Sequence, residues 1–314
     1  MQANLSLRLS QKRDLTADIC EFTFVAADGA PLPRFEAGAH LTIETPSGAW
    51  RSYSLNNDDG ETSRYVIAVK REEQGRGGSL SLHRQLHVDQ LVHARAPHNG
   101  FALVSAPRYL LIAGGIGITP MLSMLRRLRR QGCDVHMVYL TRSRDMAAYA
   151  DLLESPEFSG LVTLHHDHGD PKRTYDFWPL FATPDDRHIY FCGPPALMNA
   201  IYLRTIHWPR RQIHSESFSG VDAQDGQASA FRLRRASTGE TFDIAADKSI
   251  LDVLRDRRIA FASSCESGTC GTCKVPLVAG EPDHRDLCLS EEERQSAFIP
   301  CVSRALSDEI TLDI

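Results

Sequence analysis

Five of the eight cysteines in this 314-residue chain lie after residue 264, and four of the five have a spacing that suits iron. Cys265, Cys270 and Cys273 follow the pattern C-x4-C-x2-C, and Cys301 follows after 27 intervening residues. Four thiolates at this spacing can hold the two irons of a 2Fe-2S cluster, and the small residues between the first three let the backbone wrap the inorganic core. We therefore predict a 2Fe-2S cluster bound by these four residues.

Two alternatives compete for these cysteines. A structural zinc site needs paired C-x2-C or C/H knuckles, and the sequence holds a single C-x2-C pair. Cys288 could replace Cys301 as the fourth ligand, but its short spacing matches the cluster pattern less well. We expect Cys288 to be a thiol outside the cluster.

A second group of residues suits a flavin with one terminal phosphate, FMN. In Arg51-Ser-Tyr-Ser54 the arginine suits the phosphate, Tyr53 can lie along the isoalloxazine ring, and Ser54 can hydrogen-bond a ring nitrogen. A glycine-rich segment before a helical stretch can offer backbone amides to the phosphate. The candidates from this segment are Lys70, Gly77, Gly78 and Ser79. The competing interpretation is two ordinary polar turns.

A third group suits a dinucleotide. Gly114-Gly-Ile-Gly-Ile-Thr-Pro120 stands where a buried strand becomes a helix, so that amides there can receive a pyrophosphate. It is not G-x-G-x-x-G, and a plain strand-to-helix turn explains it equally well when it is taken alone. Cys192-Gly-Pro ends another strand at the same expected sheet edge, which favours a nicotinamide site. The candidates are Gly114, Gly115, Gly117, Thr119, Cys192 and Gly193.

These groups fall on separate segments, which predict a multidomain fold. Residues 1–104 alternate short apolar segments with turns, which indicates an antiparallel β-barrel for the flavin. Residues 105–222 alternate buried strands with helices, which indicates a parallel α/β sheet for the nucleotide. A polar stretch at 219–229 has the composition of a linker, and residues 230–314 carry the cysteines.

Three helices are predicted in the α/β segment. The first has Thr119 as its cap and Pro120 at its first position, and it runs to Arg130. The others are Asp145–Leu153 and Pro194–Ile206. The sequence His165-His-Asp-His168 invites a metal-site interpretation, but it continues an alternating strand, which sends consecutive histidines to opposite faces.

Composition excludes several classes of protein. The chain is 42% apolar and 24% charged, and it has no apolar run of the ~18 residues that a membrane span needs. A net charge of −5 disfavours a nucleic-acid partner, which calls for a basic face. The N-terminus lacks the apolar core of a secretory signal, so we expect a cytoplasmic protein. We also expect a monomer.

Taken in order, the motifs resemble those of the phthalate dioxygenase reductase family, and the similarity covers essentially the whole chain. They are Arg51-Ser-Tyr-Ser, Gly75-Arg-Gly-Gly-Ser, Ala113-Gly-Gly-Ile-Gly-Ile-Thr-Pro, Cys192-Gly-Pro, Glu216-Ser-Phe and Cys265-Glu-Ser-Gly-Thr-Cys-Gly-Thr-Cys. The resemblance implies an FMN barrel, an NAD-binding α/β domain and an α+β plant-type (β-grasp) ferredoxin domain. It implies that NADH is the substrate and that a separate Rieske-type oxygenase accepts the electrons.

The same resemblance implies roles for particular residues. Ser54, Thr119 and Cys192 would contact the reacting groups, and Phe218 would lie near the flavin. The loop after the second α/β strand departs from expectation, because it reads Thr141-Arg-Ser-Arg-Asp145 and lacks an early carboxylate for the adenosine ribose. Because this loop carries arginines in place of that carboxylate, the sequence predicts nucleotide binding more firmly than it predicts the choice of NADH over NADPH.

Two other functions remain open from the residues. One is a redox sensor whose cofactors report to a regulator, although the sequence has no helix-turn-helix pattern. The other is a reductase that acts directly on a small molecule.

Overall fold

The structure is a computed structural model that describes residues 4–75, 77–218, 229–263, 268, 271–286 and 288–314. The chain separates into two units, Met1–Ser217 and Phe218–Ile314. Apart from Ser229, the predicted linker at 219–229 lies outside the described residues. The predicted boundaries of the barrel, α/β and cluster segments stay predictions.

The first sheet of unit one is an antiparallel barrel. Its strands are β1 (Asn4–Asp14), β2 (Ile19–Ala26), β3 (His40–Glu44), β4 (Trp50–Ser54), β5 (Tyr65–Lys70) and β6 (Leu91–Arg95), and its helix is α1 (Gly78–Gln85). The strand order is β4-β3-β6-β1-β2-β5, and a bridge between Leu55 and Ile67 joins the two outer strands. Leu7 and Leu9 of β1 are fully buried because residues two apart on a strand share a face. The predicted β-barrel is confirmed.

The second sheet of unit one is parallel throughout. Its strands are β7 (Arg108–Gly114), β8 (Asp134–Thr141), β9 (Val162–His166), β10 (Arg187–Cys192) and β11 (Ile213–Glu216), and its helices are α2 (Ile118–Arg130), α3 (Ala150–Leu153), α4 (Trp178–Phe181) and α5 (Pro195–Arg204). The order β11-β10-β7-β8-β9 reverses direction between β7 and β10. Ligands of open α/β sheets bind in the crevice at such a reversal, outside the carboxyl ends of the strands.

Two helix starts differ from prediction. A 3₁₀ turn at Gly115–Gly117 runs directly into α2, so the helix begins before Thr119 and that residue is not its cap. The predicted helix Asp145–Leu153 is instead a short 3₁₀ turn followed by α3. Tyr149 interrupts it with a left-handed φ of 66°, a conformation that no helix interior tolerates.

The second unit holds a mixed sheet. The strands of this unit are β12 (Phe231–Arg235), β13 (Thr241–Ile244), β14 (Val275–Ala279), β15 (Pro282–Asp283), β16 (Ala297–Phe298), β17 (Arg304–Ala305) and β18 (Glu309–Leu312), and its helix is α6 (Ile250–Asp256). Strands β15 and β17 form a separate antiparallel pair. The sheet order is β13-β12-β18-β14-β16, with β12 parallel to β18. Ser249 and Asp252 form a capping box at the start of α6. Mixed strands with a helix confirm the predicted α+β class.

Candidate functional site

The barrel and the parallel sheet meet at the carboxyl ends of β10 and β11. Ser54, the last residue of β4, donates a hydrogen bond from Oγ to Oε2 of Glu216 at 3.5 Å. Glu216 ends β11 and is the register partner of Cys192, which ends β10. Ser54 is 4% exposed and Cys192 is fully buried. The structure therefore brings together two residues that the sequence predicted for different cofactors.

Burial and the charge of Glu216 together set the electrostatics around Cys192. Burial raises the pKa of the Cys192 thiol well above its usual range, and the nearby charge of Glu216 raises it further. Cys192 is therefore a neutral thiol at physiological pH and is unsuited to nucleophilic chemistry. Glu216 is absent from the predicted site residues, and its strand register with Cys192 is the feature that identifies it.

Glycines at or just after the ends of β7 and β10 allow a close approach of the two strand ends. A Cβ on Gly117 would lie 2.2 Å from the carbonyl oxygen of Cys192, and one on Gly114 would lie 2.6 Å from Leu197 Cδ2. A Cβ on Gly193 would lie 3.1 Å from Gly114 Cα. Only glycine permits this packing, so these residues have a structural reason to be glycine in addition to any contact with a nucleotide.

Two residues of the glycine segment have different surroundings. Gly115 has a φ of +53°, and a Cβ there would meet nothing within 4 Å, so its backbone faces open space. Thr119 is 1% exposed and donates its hydroxyl to the carbonyl oxygen of Ile116 at 3.1 Å. Open backbone at the start of α2 fits a pyrophosphate. A direct contact of Thr119 with nicotinamide stays a prediction.

The two flavin motifs are neighbours in the barrel. A Cβ on Gly78 would lie 2.9 Å from Cγ of Arg51, so the first turn of α1 rests against the arginine stem. Gly77 precedes the helix with a φ of 82°, and the first turn contains no acidic residue. Ser79 Oγ accepts a hydrogen bond from the amide of Glu72 at 3.1 Å. A guanidinium beside a helix start without acids fits the phosphate of FMN.

The remaining flavin candidates, Tyr53, Lys70 and Phe218, lie in different surroundings. Tyr53 packs against the barrel core, and burial raises the pKa of its phenol, which stays protonated. Lys70 is paired with Glu72 through a 3.0 Å contact between Nζ and Oε1, so part of its charge is already compensated. Phe218 is 41% exposed and opens the second unit. The roles of Lys70 and Phe218 stay predictions.

Two predicted cluster ligands belong to one buried group in the second unit. Cys273 and Cys301 are 4% and 5% exposed and pack with Leu251, Leu289, Ile299 and Val302. Cys265 and Cys270 lie outside the described residues. Cys288 is half-buried against the same group, with its Sγ 3.9 Å from Asp286 Oδ2. The choice between Cys301 and Cys288 as fourth ligand stays a prediction.

Gly268 packs closely against the segment that carries Cys301. Its φ is +75°, and a Cβ there would lie 2.6 Å from Val302 Cγ2, next to Cys301 in sequence. A side chain at this position would therefore have to displace the segment that carries Cys301. Thiolates in a compact, mostly buried group suit an iron–sulfur cluster.

The histidine segment shows no shared ligand geometry between its first two imidazoles. His165 Nε2 bonds the carbonyl oxygen of Arg173 at 2.7 Å, whereas His166 Nδ1 bonds the hydroxyl of Thr141 at 2.7 Å. Both lie on β9, as the alternating pattern predicted.

Comparison with known proteins identifies the domains and the family. Residues 111–202 match the oxidoreductase NAD-binding domain, and residues 234–306 match the 2Fe-2S iron-sulfur cluster binding domain. The phthalate dioxygenase reductase of Burkholderia cepacia is 46% identical over 99% of this chain and 97% of its own length. The chain belongs to the phthalate dioxygenase reductase family. It is therefore an NADH-dependent oxidoreductase with FMN and a 2Fe-2S cluster, as predicted.

Two further matches agree with this membership in the phthalate dioxygenase reductase family. The phthalate 4,5-dioxygenase oxygenase reductase subunit of Pseudomonas putida is 42% identical over 98% of this chain and 96% of its own length. A solved structure of phthalate dioxygenase reductase has a TM-score of 0.82 and 45% identity, covering 99% of this chain and 98% of that one. Among the residues that the structure describes, no helix combines the length and apolar character needed to cross a membrane.

Proposed function

We propose that the chain is the reductase component of a two-component Rieske-type oxygenase, moving electrons from NADH through FMN and the 2Fe-2S cluster, one at a time, to a separate oxygenase. The observation that carries the proposal is the meeting of Ser54 with Glu216 beside Cys192, because it joins the flavin strand to the nucleotide edge of the sheet. Its relatives named as reductases of phthalate dioxygenases support an oxygenase partner.

Arg51 and the start of α1 would hold the flavin phosphate. The guanidinium supplies charge, and the amides of Gly77, Gly78 and Ser79 supply donors at the positive end of the helix. Tyr53 would cover one face of the ring from the strand that also carries Ser54. When bound, FMN supplies the ability to take an electron pair from NADH and to pass single electrons to the cluster.

The nucleotide would lie across the crevice between the ends of β7 and β10. Gly115 leaves open backbone for a pyrophosphate at the start of α2, and Gly114 and Gly117 let the ends of β7 and β10 pack closely beside it. Cys192 would contact the nicotinamide as a neutral, compact side chain, and Glu216 would hold the Ser54 hydroxyl in one orientation. This work is positioning, and no residue has to accept or donate a catalytic proton.

Cys265, Cys270, Cys273 and Cys301 would hold the cluster in the second unit. Electrons leave singly from there because a 2Fe-2S cluster exchanges one at a time. The most suitable acceptor is thus another one-electron protein centre, such as the Rieske cluster of an oxygenase. A chain that holds both its flavin and its cluster needs no second copy, so we infer a monomer.

The test compares acceptors for the full chain. With NADH, we expect turnover with ferricyanide and fast reduction of a Rieske oxygenase, and Cys301→Ala should keep the first activity and lose the second. Cys288→Ala is the matched control and should keep both. Rapid reduction of a quinone without any oxygenase reduction would favour a direct small-molecule reductase, and absence of NADH turnover would favour a sensor.

A further inference from the structure

The segment that follows the flavin strand is polar and buried. Asn56, Asn57 and Asp59 are 2%, 3% and 7% exposed. Asn57 is fixed within the barrel, because its Oδ1 accepts from the amide of Val66 at 3.0 Å and its Nδ2 donates to the carbonyl oxygen of Arg64 at 3.1 Å. The segment thus continues the rigid framework of β4, which carries the flavin candidates.

Helix α2 binds this segment through one of its faces. Ser123 Oγ donates to the carbonyl oxygen of Asn57 at 3.0 Å. Arg127 Nη1 and Arg130 Nη2 contact the two oxygens of Asp59 at 2.8 Å and 2.6 Å. Positions 123, 127 and 130 lie four and seven residues apart, which places them on one side of a helix.

Asp59 is the centre of this attachment. Its side chain is 5% exposed, and Oδ2 also accepts from the amide of Ala37 at 3.2 Å. The carboxylate therefore joins two arginines of α2 to barrel backbone. Each guanidinium meets a different oxygen of this buried acid, and Arg130 also contacts Asp58, so these ion pairs restrain the position of the helix against the barrel.

The opposite end of α2 carries the nucleotide candidates. At 1.5 Å per residue, Ile118 lies about 7.5 Å from Ser123 along the helix axis. In the other direction, Arg127 and Arg130 lie about 6 and 10.5 Å from Ser123. If the helix pivots at Ser123, a 1 Å displacement at the arginines moves the nucleotide end by about the same distance. A misplacement of this size in a hydride-transfer complex can slow the reaction by about 100-fold.

We propose that Asp59 is a positioning residue for hydride transfer, setting the distance between nicotinamide and flavin through helix α2. This inference rests on the proposed function. Asp59 itself touches neither cofactor candidate, so its effect must pass through the rigid helix. Its loss should change the rate of flavin reduction more than the binding of NADH or FMN.

The experiment uses the full-length holoprotein under anaerobic conditions. For Asp59→Asn, we expect stopped-flow flavin reduction by NADH to slow about 10- to 100-fold. The deuterium isotope effect with 4-deuterated NADH should become more temperature-dependent, because the donor–acceptor distance varies more. FMN content and the rate of electron transfer from flavin to cluster should stay within twofold of wild type. Amide exchange of the peptide 115–122 should accelerate.

Two further variants keep the test decisive. Glu157→Gln removes the exposed contact of Glu157 with Arg129 on another side of the same helix, and it should match wild type in every measurement. Arg130→Gln leaves Asp59 held by Arg127 and Ala37, so it should fold and show a smaller slowing, about three- to tenfold.

Wild-type flavin reduction and isotope effects in the folded Asp59→Asn or Arg130→Gln proteins would overturn the inference. Slowing that is fully explained by lost FMN or weakened NADH binding would overturn it as well. These outcomes differ from failure of the proposed function, in which NADH does not reduce the flavin of the wild-type protein.

Discussion

Gly117→Ala would place a methyl group in the backbone of the neighbouring strand end. Its Cβ would lie 2.2 Å from the Cys192 carbonyl oxygen and 2.9 Å from the Gly193 nitrogen. Both are main-chain atoms, so no side-chain rotation relieves the contact. For the Cβ and the Cys192 carbonyl oxygen to reach an ordinary contact distance of 3.4 Å, the end of β10 or the start of α2 must move by about 1 Å.

The expected effect of Gly117→Ala is mainly kinetic. A shift of about 1 Å between reacting partners can cost about 100-fold in rate, or ~2.7 kcal/mol of barrier. Crowding of a packed region costs about 1–3 kcal/mol of folding free energy. FMN content should be unchanged, because the phosphate candidates Arg51 and Gly78 lie on other elements.

The assay is kcat/KM for NADH with ferricyanide, together with thermal unfolding and the flavin content of the purified protein. Gly100→Ala is the control, since a Cβ there meets nothing within 4 Å. A folded Gly117→Ala protein with wild-type kcat/KM would refute the reasoning that this glycine sets the nicotinamide site.

Three other outcomes follow from the structure. Cys301→Ala should abolish the visible absorption of the cluster while Cys288→Ala keeps it, and the reverse result would reassign the fourth ligand. The kcat/KM for NADH should exceed that for NADPH at least tenfold, because Arg144 is already bound by the carboxylates of Asp151 and Glu154. Glu154→Gln removes one of these carboxylates and should reduce the ratio of the two kcat/KM values. An NADPH preference in the wild type would contradict this prediction. Burial lowers the pKa of His214 to about 4 in the folded protein. As the pH falls below about 6.5, His214 therefore gains a proton in the unfolded chain before it does so in the folded chain, which favours unfolding. Between pH 7 and pH 5 the wild type should lose about 1–2 kcal/mol more unfolding free energy than His214→Gln in urea titrations, and parallel losses would refute the assignment.

Local sequence patterns were sufficient to predict the strand ends that carry Gly114 and Cys192. Gly114 and Cys192 end adjacent parallel strands because buried-strand runs followed by helices fold in only a few topologies. Patterns near each residue also assign Gly78 and Arg51 to the same predicted flavin site, although the contact between them could not be predicted.

Long-range registers and backbone exceptions could not be predicted from these patterns. Glu216 reaches Ser54 across 162 positions of sequence, and its role depends on which residue of β10 it faces. Tyr149 adopts a left-handed φ that aromatic residues rarely take, with its phenol oxygen accepting from Asn56 at 3.0 Å. Asp59 lies in an ordinary polar turn of the sequence, and only the fold brings Arg127 and Arg130 to it.

The order of electron carriers can be read directly by mixing the full chain with NADH and a Rieske oxygenase in an anaerobic stopped-flow spectrometer. Wild type and Cys301→Ala should bleach the flavin absorption at the same rate, because the cluster takes no part in the first step. Only the wild type should then show reduction of its own cluster, followed by reduction of the oxygenase. Oxygenase reduction at the wild-type rate by a Cys301→Ala protein that lacks the cluster would show that the flavin delivers electrons directly, and the proposed sequence of carriers would be wrong.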